Sequence, residues 1–156
     1  MIIEILQTIP FYNFLIKAKQ NTYAADGPLI RSSRPGSIDL AYTEEPFRYL
    51  DSYFGGFQFI GEEMVWYQEK TVWGMNYLGH ILVENPPADF AHFLKSALLQ
   101  VPQEMPYRGP EEFVSGDFCY TCSVDGSINW FRGKEFVFFN GQKIYQLYFH
   151  GGEVRN

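Results

Sequence analysis

Little in this chain points to metal, redox or nucleotide chemistry. It holds only two cysteines, Cys119 and Cys122, and three scattered histidines, His80, His92 and His150. A structural zinc site wants four converging ligands. The C-x-x-C run "CYTC" reads as strand, where residues three apart point to opposite faces. No metal site is expected and no cofactor is assigned. The nucleophile elbow G-x-S-x-G, the P-loop and the dinucleotide fingerprint G-x-G-x-x-G are all missing. Basic residues are in deficit, 12 against 18 acids, for a net charge of −6. Phosphate binding needs a basic face, so no direct contact with nucleic acid is expected. No run reaches the roughly 18 uninterrupted apolar residues of a membrane span. The apolar start "MIIEILQTIPFYNFLIKAK" lacks a basic leader and a small-residue cleavage site, and reads as structure. Two cysteines without a signal fit a reducing compartment, and a cytoplasmic protein is expected.

Aromatic side chains, in contrast, are abundant: 15 Phe, 11 Tyr and 3 Trp. Such a load fits a strand-rich protein with large side chains on its sheet. It serves either a thick aromatic core or an aromatic-lined pocket. The length, 156 residues, suits one domain spanning 1–156.

Periodicity orders the elements. "PFYNFLIKAKQ" (10–20) predicts a helix with Pro in its first turn. Residues 21–46 read as a long polar connection. "FRYLDSYFGG" (47–56), "FQFIGEEMVWYQ" (57–68) and "TVWGMNYL" (71–78) read as strands. "ADFAHFLKSALLQ" (88–100) has helical spacing, with Phe90, Phe93, Leu94, Ala97 and Leu98 on one face. "VPQEMPYRGPEEF" reads as a loop. Strands follow at about 117–124, 127–139 and 143–150, with turns expected at Asp125-Gly126 and Asn140-Gly141.

The order is helix-strand-strand-strand, twice, and the halves align. At an offset of 72, "GEEMVWYQEKTVWGMNYLGH" lies over "GKEFVFFNGQKIYQLYFHGG", so Glu63 meets Glu135 and Tyr77 meets Phe149. The helices match at an offset of 79, "NFLIKA" over "HFLKSA". The expected fold is α+β: a duplicated helix-strand-strand-strand unit, about 10–80 and 87–152, forming a curved, mainly antiparallel sheet with two helices on one face.

This layout resembles the effector-binding fold of the gyrase-inhibitor-like and SOUL haem-binding families. At sequence level, "RSSRPGSIDLAY", "FRYLDSYFGG", "FIGEEMVW", "WGMNYLG", "VPQEMPYRGPEEF" and "YFHGG" resemble the signatures of a bacterial domain-of-unknown-function family of small proteins. Some relatives carry a helix-turn-helix domain in front. The resemblance spans roughly residues 12 to 153 and brings no activity with it. A regulatory role for this chain would need a partner.

Strand parity sorts the side chains. Trp73, Met75 and Tyr77 share an apolar face expected under the helices, with Tyr145, Leu147 and Phe149. Taking the most apolar option in the other strands puts Leu50, Phe54, Met64, Trp66, Phe136 and Phe138 in the core. An open groove then collects Tyr49, Asp51, Tyr53, Glu63, Tyr67, Asn76, Glu135, Gln146 and Tyr148. Acids among aromatics suit a small cationic or planar apolar ligand. The alternative is an ordinary solvated sheet face.

Glu63 and Glu135 hold equivalent places and are the candidate acid–base pair, if the halves bring them together. Each could equally pair with a basic side chain. Arg31 and Arg34 in "RSSRPG", with Arg108 in "YRGPEE", could clamp an anion. Pairing with Glu62, Glu111 or Glu112 is the competing role. Three functions follow: a ligand-binding or regulatory module, a hydrolase using a groove glutamate as general base, and an interaction subunit whose aromatic face admits a homodimer.

Overall fold

The computed structural model of the chain describes residues 2–156. A short helix α1 (Ile2–Leu6) precedes α2 (Ile9–Gln20) and a 3-10 turn over Tyr23–Ala25. Strands β1 (Leu29–Ile30), β2 (Ile38–Glu44), β3 (Phe47–Gly55), β4 (Gln58–Tyr67) and β5 (Lys70–Ile81) follow. Helix α3 (Phe90–Leu99) leads to β6 (Glu112–Ser115), β7 (Phe118–Ser127), β8 (Trp130–Phe139) and β9 (Gln142–Glu153). All nine strands form one open sheet, β1-β2-β3-β4-β5-β9-β8-β7-β6, antiparallel at every junction. This is an α+β arrangement.

Local chemistry explains most boundaries. Helix α2 is capped by Thr8, whose hydroxyl accepts from the Phe11 amide at 3.4 Å, and Pro10 stands in its first turn. The α3 stripe read from the sequence is the one that is buried: Phe90, Phe93, Leu94, Ala97 and Leu98. Asn140 and Gly141 have φ of 48° and 78°, the left-handed pair of a type I′ hairpin. Gln68 and Glu69 make the matching turn in the first half, with φ of 46° and 65°.

Three expectations need correction. The Asp125-Gly126 pair lies inside β7, and the turn falls at Ile128–Asn129. Ile128 is buried, and its carbonyl accepts from the Trp73 indole at 3.0 Å, so the hairpin extends to reach it. The stretch 21–46 contains β1 and β2. There Asp39, a poor strand former, is held by bonds from the Ser33 amide (2.9 Å) and the Ser52 hydroxyl (2.7 Å). The loop before 117 likewise contains β6.

One irregularity decides which face each side chain takes. From the Gln68-Glu69 turn, Tyr67 pairs with Lys70. A straight ladder would then set Glu63 opposite Gly74. A bulge between Val65 and Trp66 shifts the register, and Glu63 pairs with Met75 instead. The second half repeats this: a bulge between Val137 and Phe138 sets Glu135 opposite Leu147. A one-residue shift moves every side chain to the other face. Glu63, Val65, Glu135 and Val137 therefore share the face of Trp73, Met75 and Tyr77, and all of these are buried.

The helices pack on that face through aromatic contacts. Phe14 stacks on Phe47 at 5.0 Å and lies 5.7 Å from Tyr42. Phe93 stacks on Phe118 at 4.7 Å and lies 5.7 Å from Phe113. In the central β5–β9 ladder, Tyr77 pairs with Phe149, Met75 with Gly151, and Gly79 with Leu147.

Candidate functional site

The bulges split the expected groove between two faces. Tyr49, Asp51, Tyr53, Glu63, Tyr67 and Glu135 lie on the helix side, not the open side. Tyr49, Asp51, Glu63 and Glu135 are buried there, at 3%, 6%, 3% and 0% exposure. Asn76, Gln146 and Tyr148 are on the opposite face as expected, Tyr148 half exposed. The residues assigned to the core, Leu50, Phe54, Met64, Trp66, Phe136 and Phe138, are only partly buried on that outer face. The apolar criterion failed because the buried acids bring their own partners.

Glu63 of β4 receives Lys19, on the buried stripe of α2. The ammonium donates to Glu63 Oε1 at 2.8 Å and to the Tyr107 carbonyl at 2.6 Å. The Tyr49 hydroxyl donates to the same carboxylate oxygen. Among the described residues, Glu63 Oε2 is buried without a partner. Burial pulls the Lys19 pKa below its ordinary value, with Glu63 opposing that fall.

Glu135 of β8 is more completely satisfied. Arg108 grips it with Nε at 3.0 Å and Nη2 at 2.6 Å. The hydroxyls of Tyr120 (2.6 Å) and Tyr145 (2.8 Å) complete four donors on two oxygens. Tyr120 accepts in turn from the Gly109 amide at 2.9 Å. Burial would lower the Arg108 pKa, but Glu135 holds it well above its ordinary value. Burial, then Glu135, raises Tyr120 and Tyr145 strongly.

The two glutamates do not meet. Strands β5 and β9 separate β4 from β8, which places the two backbones about 14 Å apart across the sheet and about 13 Å along it. No shared carboxylate pair forms.

Asp51 of β3 is the third buried acid on the helix side. It pairs across the ladder with Glu63, so two carboxylates face each other. Its one hydrogen-bond partner among the described residues is the Tyr77 hydroxyl, at 2.6 Å. Burial first, and the charge of Glu63 second, push its pKa up to about 7, against Tyr77, Arg108 and Lys19. On this face three buried carboxylates thus meet two cations, buried Lys19 and partly buried Arg108.

Space opens at Asp51. A chamber of about 140 Å³ lies between helices and sheet, walled by Asp51, Tyr53, Phe59, Tyr77, Arg108 and Tyr145. A smaller space of about 30 Å³ continues toward Lys19 and Glu63. On the other side, a cleft of about 410 Å³ shares Tyr23, Phe59, Leu94 and Tyr145 with the chamber. Gly61, opposite Tyr77 in the β4–β5 ladder, makes room for that ring, since a Cβ there would collide with it.

The outer face carries a broader trough of about 830 Å³ lined by Asn76, Leu78, Tyr148, Arg132 and Lys134. Its charges are exposed, and Arg132 pairs with Asp125 at 3.3 Å. Nothing charged is held out of water there.

The three loop arginines do not converge. Arg34 donates to the Ser52 hydroxyl at 2.6 Å and covers Phe54 at 4.8 Å, on the outer side. Arg31 is exposed. Arg108 is on the helix side and pairs with Glu135, not with Glu62, Glu111 or Glu112. Cys119 and Cys122 are free thiols on opposite faces of β7, and burial pushes Cys122 up to about 12.

Sequence reasoning missed Lys19, Tyr77, Tyr120 and Tyr145 as site residues. Lys19 left a signal: it continues the buried stripe Phe11, Phe14, Leu15, Ala18, and a lysine on an apolar stripe needs a buried partner.

Fold and site together define an open antiparallel sheet protein with a charged, aromatic chamber beneath its helices. The chain belongs to the family described as Domain of unknown function (DUF5680), which it matches over residues 51–154. That span includes Asp51, Glu63, Tyr77, Arg108 and Glu135. No curated protein and no solved structure matches the chain. Among the described residues, no helix is long and apolar enough to cross a membrane.

Proposed function

We propose that this protein is a small-molecule-binding module, cytoplasmic and regulatory, whose ligand enters the helix–sheet chamber and is anchored by Asp51. One observation carries the reading. Asp51 is 6% exposed, lines the chamber, and has no cationic partner of its own among the described residues. A buried unpaired carboxylate is costly, by several kcal/mol even after relaxation. A ligand cation would offset that cost, and the surrounding rings suit a ligand with an apolar body.

We read the two halves as copies of one unit that resembles an effector-binding domain. The paired aromatic contacts, the paired bulges and the central ladder, unchanged when the halves are exchanged, support this reading. The ligand site breaks that symmetry: the residue corresponding to Asp51 is Cys122, and the residue corresponding to Lys19 is Leu98. The first half keeps an acid without a cation, the matching carboxylate cluster of the second half is saturated, and both halves wall the chamber.

A second reading is acid–base catalysis. Asp51, titrating near 7, suits a general base better than Glu63 or Glu135, which are held by Lys19 and Arg108.

A thermal-stability screen of the purified chain against cationic, zwitterionic, anionic and planar neutral compounds tests the proposal. A rise in Tm that Asp51→Asn abolishes is expected. A flat screen, or a rise that Asp51→Asn leaves intact, contradicts it. Turnover of a hit, lost in the same variant, would select the enzyme.

A further inference from the structure

We infer that the chamber is built for a zwitterion of the α-amino acid type with an apolar side chain, its ammonium group on Asp51 and its carboxylate on Arg108. This rests on the reading of the chamber as a ligand site and assigns the head group it takes.

The inference starts from an ion pair that does not form. Asp51 and Arg108 carry opposite charge and line the same chamber, yet they make no salt bridge with each other. Each has a polar edge to spare. Asp51 Oδ1 accepts from Tyr77, while Oδ2 has no protein donor among the described residues. Arg108 spends Nε and Nη2 on Glu135, while Nη1 has no acceptor among them. Tyr77 spans the gap, with its hydroxyl on Asp51 and its ring 5.7 Å from the guanidinium.

Two opposite charges held apart across a buried space are complementary to a ligand dipole of reversed order. A simple cation would satisfy Asp51 and leave Nη1 bare. A simple carboxylate would satisfy Arg108 and face the Asp51 charge. A zwitterion satisfies both, with hydrogen bonds to charged groups at each end.

Size and polarity fix the rest. The chamber, about 140 Å³, is close to the roughly 150 Å³ of a cavity that holds one benzene. It takes a head group and the first carbons. The remainder passes under Phe59 and Tyr145 into the adjoining cleft, whose further walls are Pro87, Phe90 and Ala91. An apolar or aromatic side chain suits those walls.

Calorimetric titration of the full chain at pH 8 with phenylalanine, phenethylamine and 3-phenylpropionate tests this. Phenylalanine is expected to bind at least about tenfold more tightly than either singly charged analogue. Arg108→Lys, which keeps a charge beside Glu135, should weaken phenylalanine and spare phenethylamine. Should that variant fail to fold, the three ligands on the unaltered protein decide alone. Equal binding of phenethylamine and phenylalanine overturns the zwitterion and leaves the cation site standing. Binding by none of the three overturns the inference. A flat stability screen as well would take the binding reading down with it.

Discussion

Asp51 and Glu63 are direct partners across the β3–β4 ladder, two carboxylates on one buried face, and Lys19 bonds to Glu63 and the Tyr107 carbonyl but not to Asp51. Like charges set opposite each other in a sheet are destabilising. The arrangement therefore costs stability at the place where a ligand would recover it.

Replacing the unpaired acid should expose that cost. Asp51→Asn keeps the size of the side chain and its acceptor for Tyr77, and removes the charge. The expected outcome at pH 8 is a more stable protein, by about 1–3 kcal/mol, that has lost its ligand response. Urea unfolding of the two proteins reads the first effect.

Stability should also fall as pH rises from about 4 to about 7. The Asp51 carboxyl titrates near 7 when folded and near 4 when unfolded. Between those values the folded state holds the extra proton, so its stability declines as pH rises and levels off above 7, by on the order of 4 kcal/mol in all. Asp39 contributes with opposite sign at lower pH. Burial alone would raise it, but bonds from Ser33, Ser52 and Ser37 hold it at about 2. Its stabilisation is present above about 4 and is lost as pH falls through 2. Unfolding followed across pH should show the limb between 4 and 7 in the unaltered protein and not in Asp51→Asn.

Lys19→Met leaves Glu63 buried beside Asp51 with no cation. A loss of about 3–5 kcal/mol is expected. The double variant Lys19→Met with Glu63→Gln should recover much of it, and a double-mutant cycle by denaturant unfolding measures how much.

Within the Glu135 cluster, Tyr120 should behave as scaffold. Tyr120→Phe and Tyr145→Phe each remove one donor to a buried carboxylate. Each should cost about 1.5–3 kcal/mol, with a joint effect that departs from the sum. Tyr120→Phe should leave ligand affinity unchanged, since Tyr120 is not among the chamber walls.

How far the sequence could be read follows from the same residues. The α3 stripe and the Asn140-Gly141 turn were legible because each depends on neighbours in the chain. The faces of β4 and β8 were not. Apolar content favoured Met64 and Trp66 for the core, while the bulge at Val65/Trp66 and the rescue of Glu63 by Lys19 reversed the outcome. Both causes are non-local: Lys19 and Glu63 lie on separate elements, and a bulge leaves no clear mark in a run of β-branched and aromatic residues. Asp51 was named as a candidate residue, but assigned to the wrong face by the same slip.

The Asp51 carboxyl itself gives the most direct test. Its ¹³C shift, followed by NMR across pH in the ligand-free protein, reports the charge on which the account depends. A midpoint near 7, falling when a cation-bearing ligand is added, is the predicted result. A midpoint near 4 would mean that Asp51 is already compensated, and would contradict its role as the anchor.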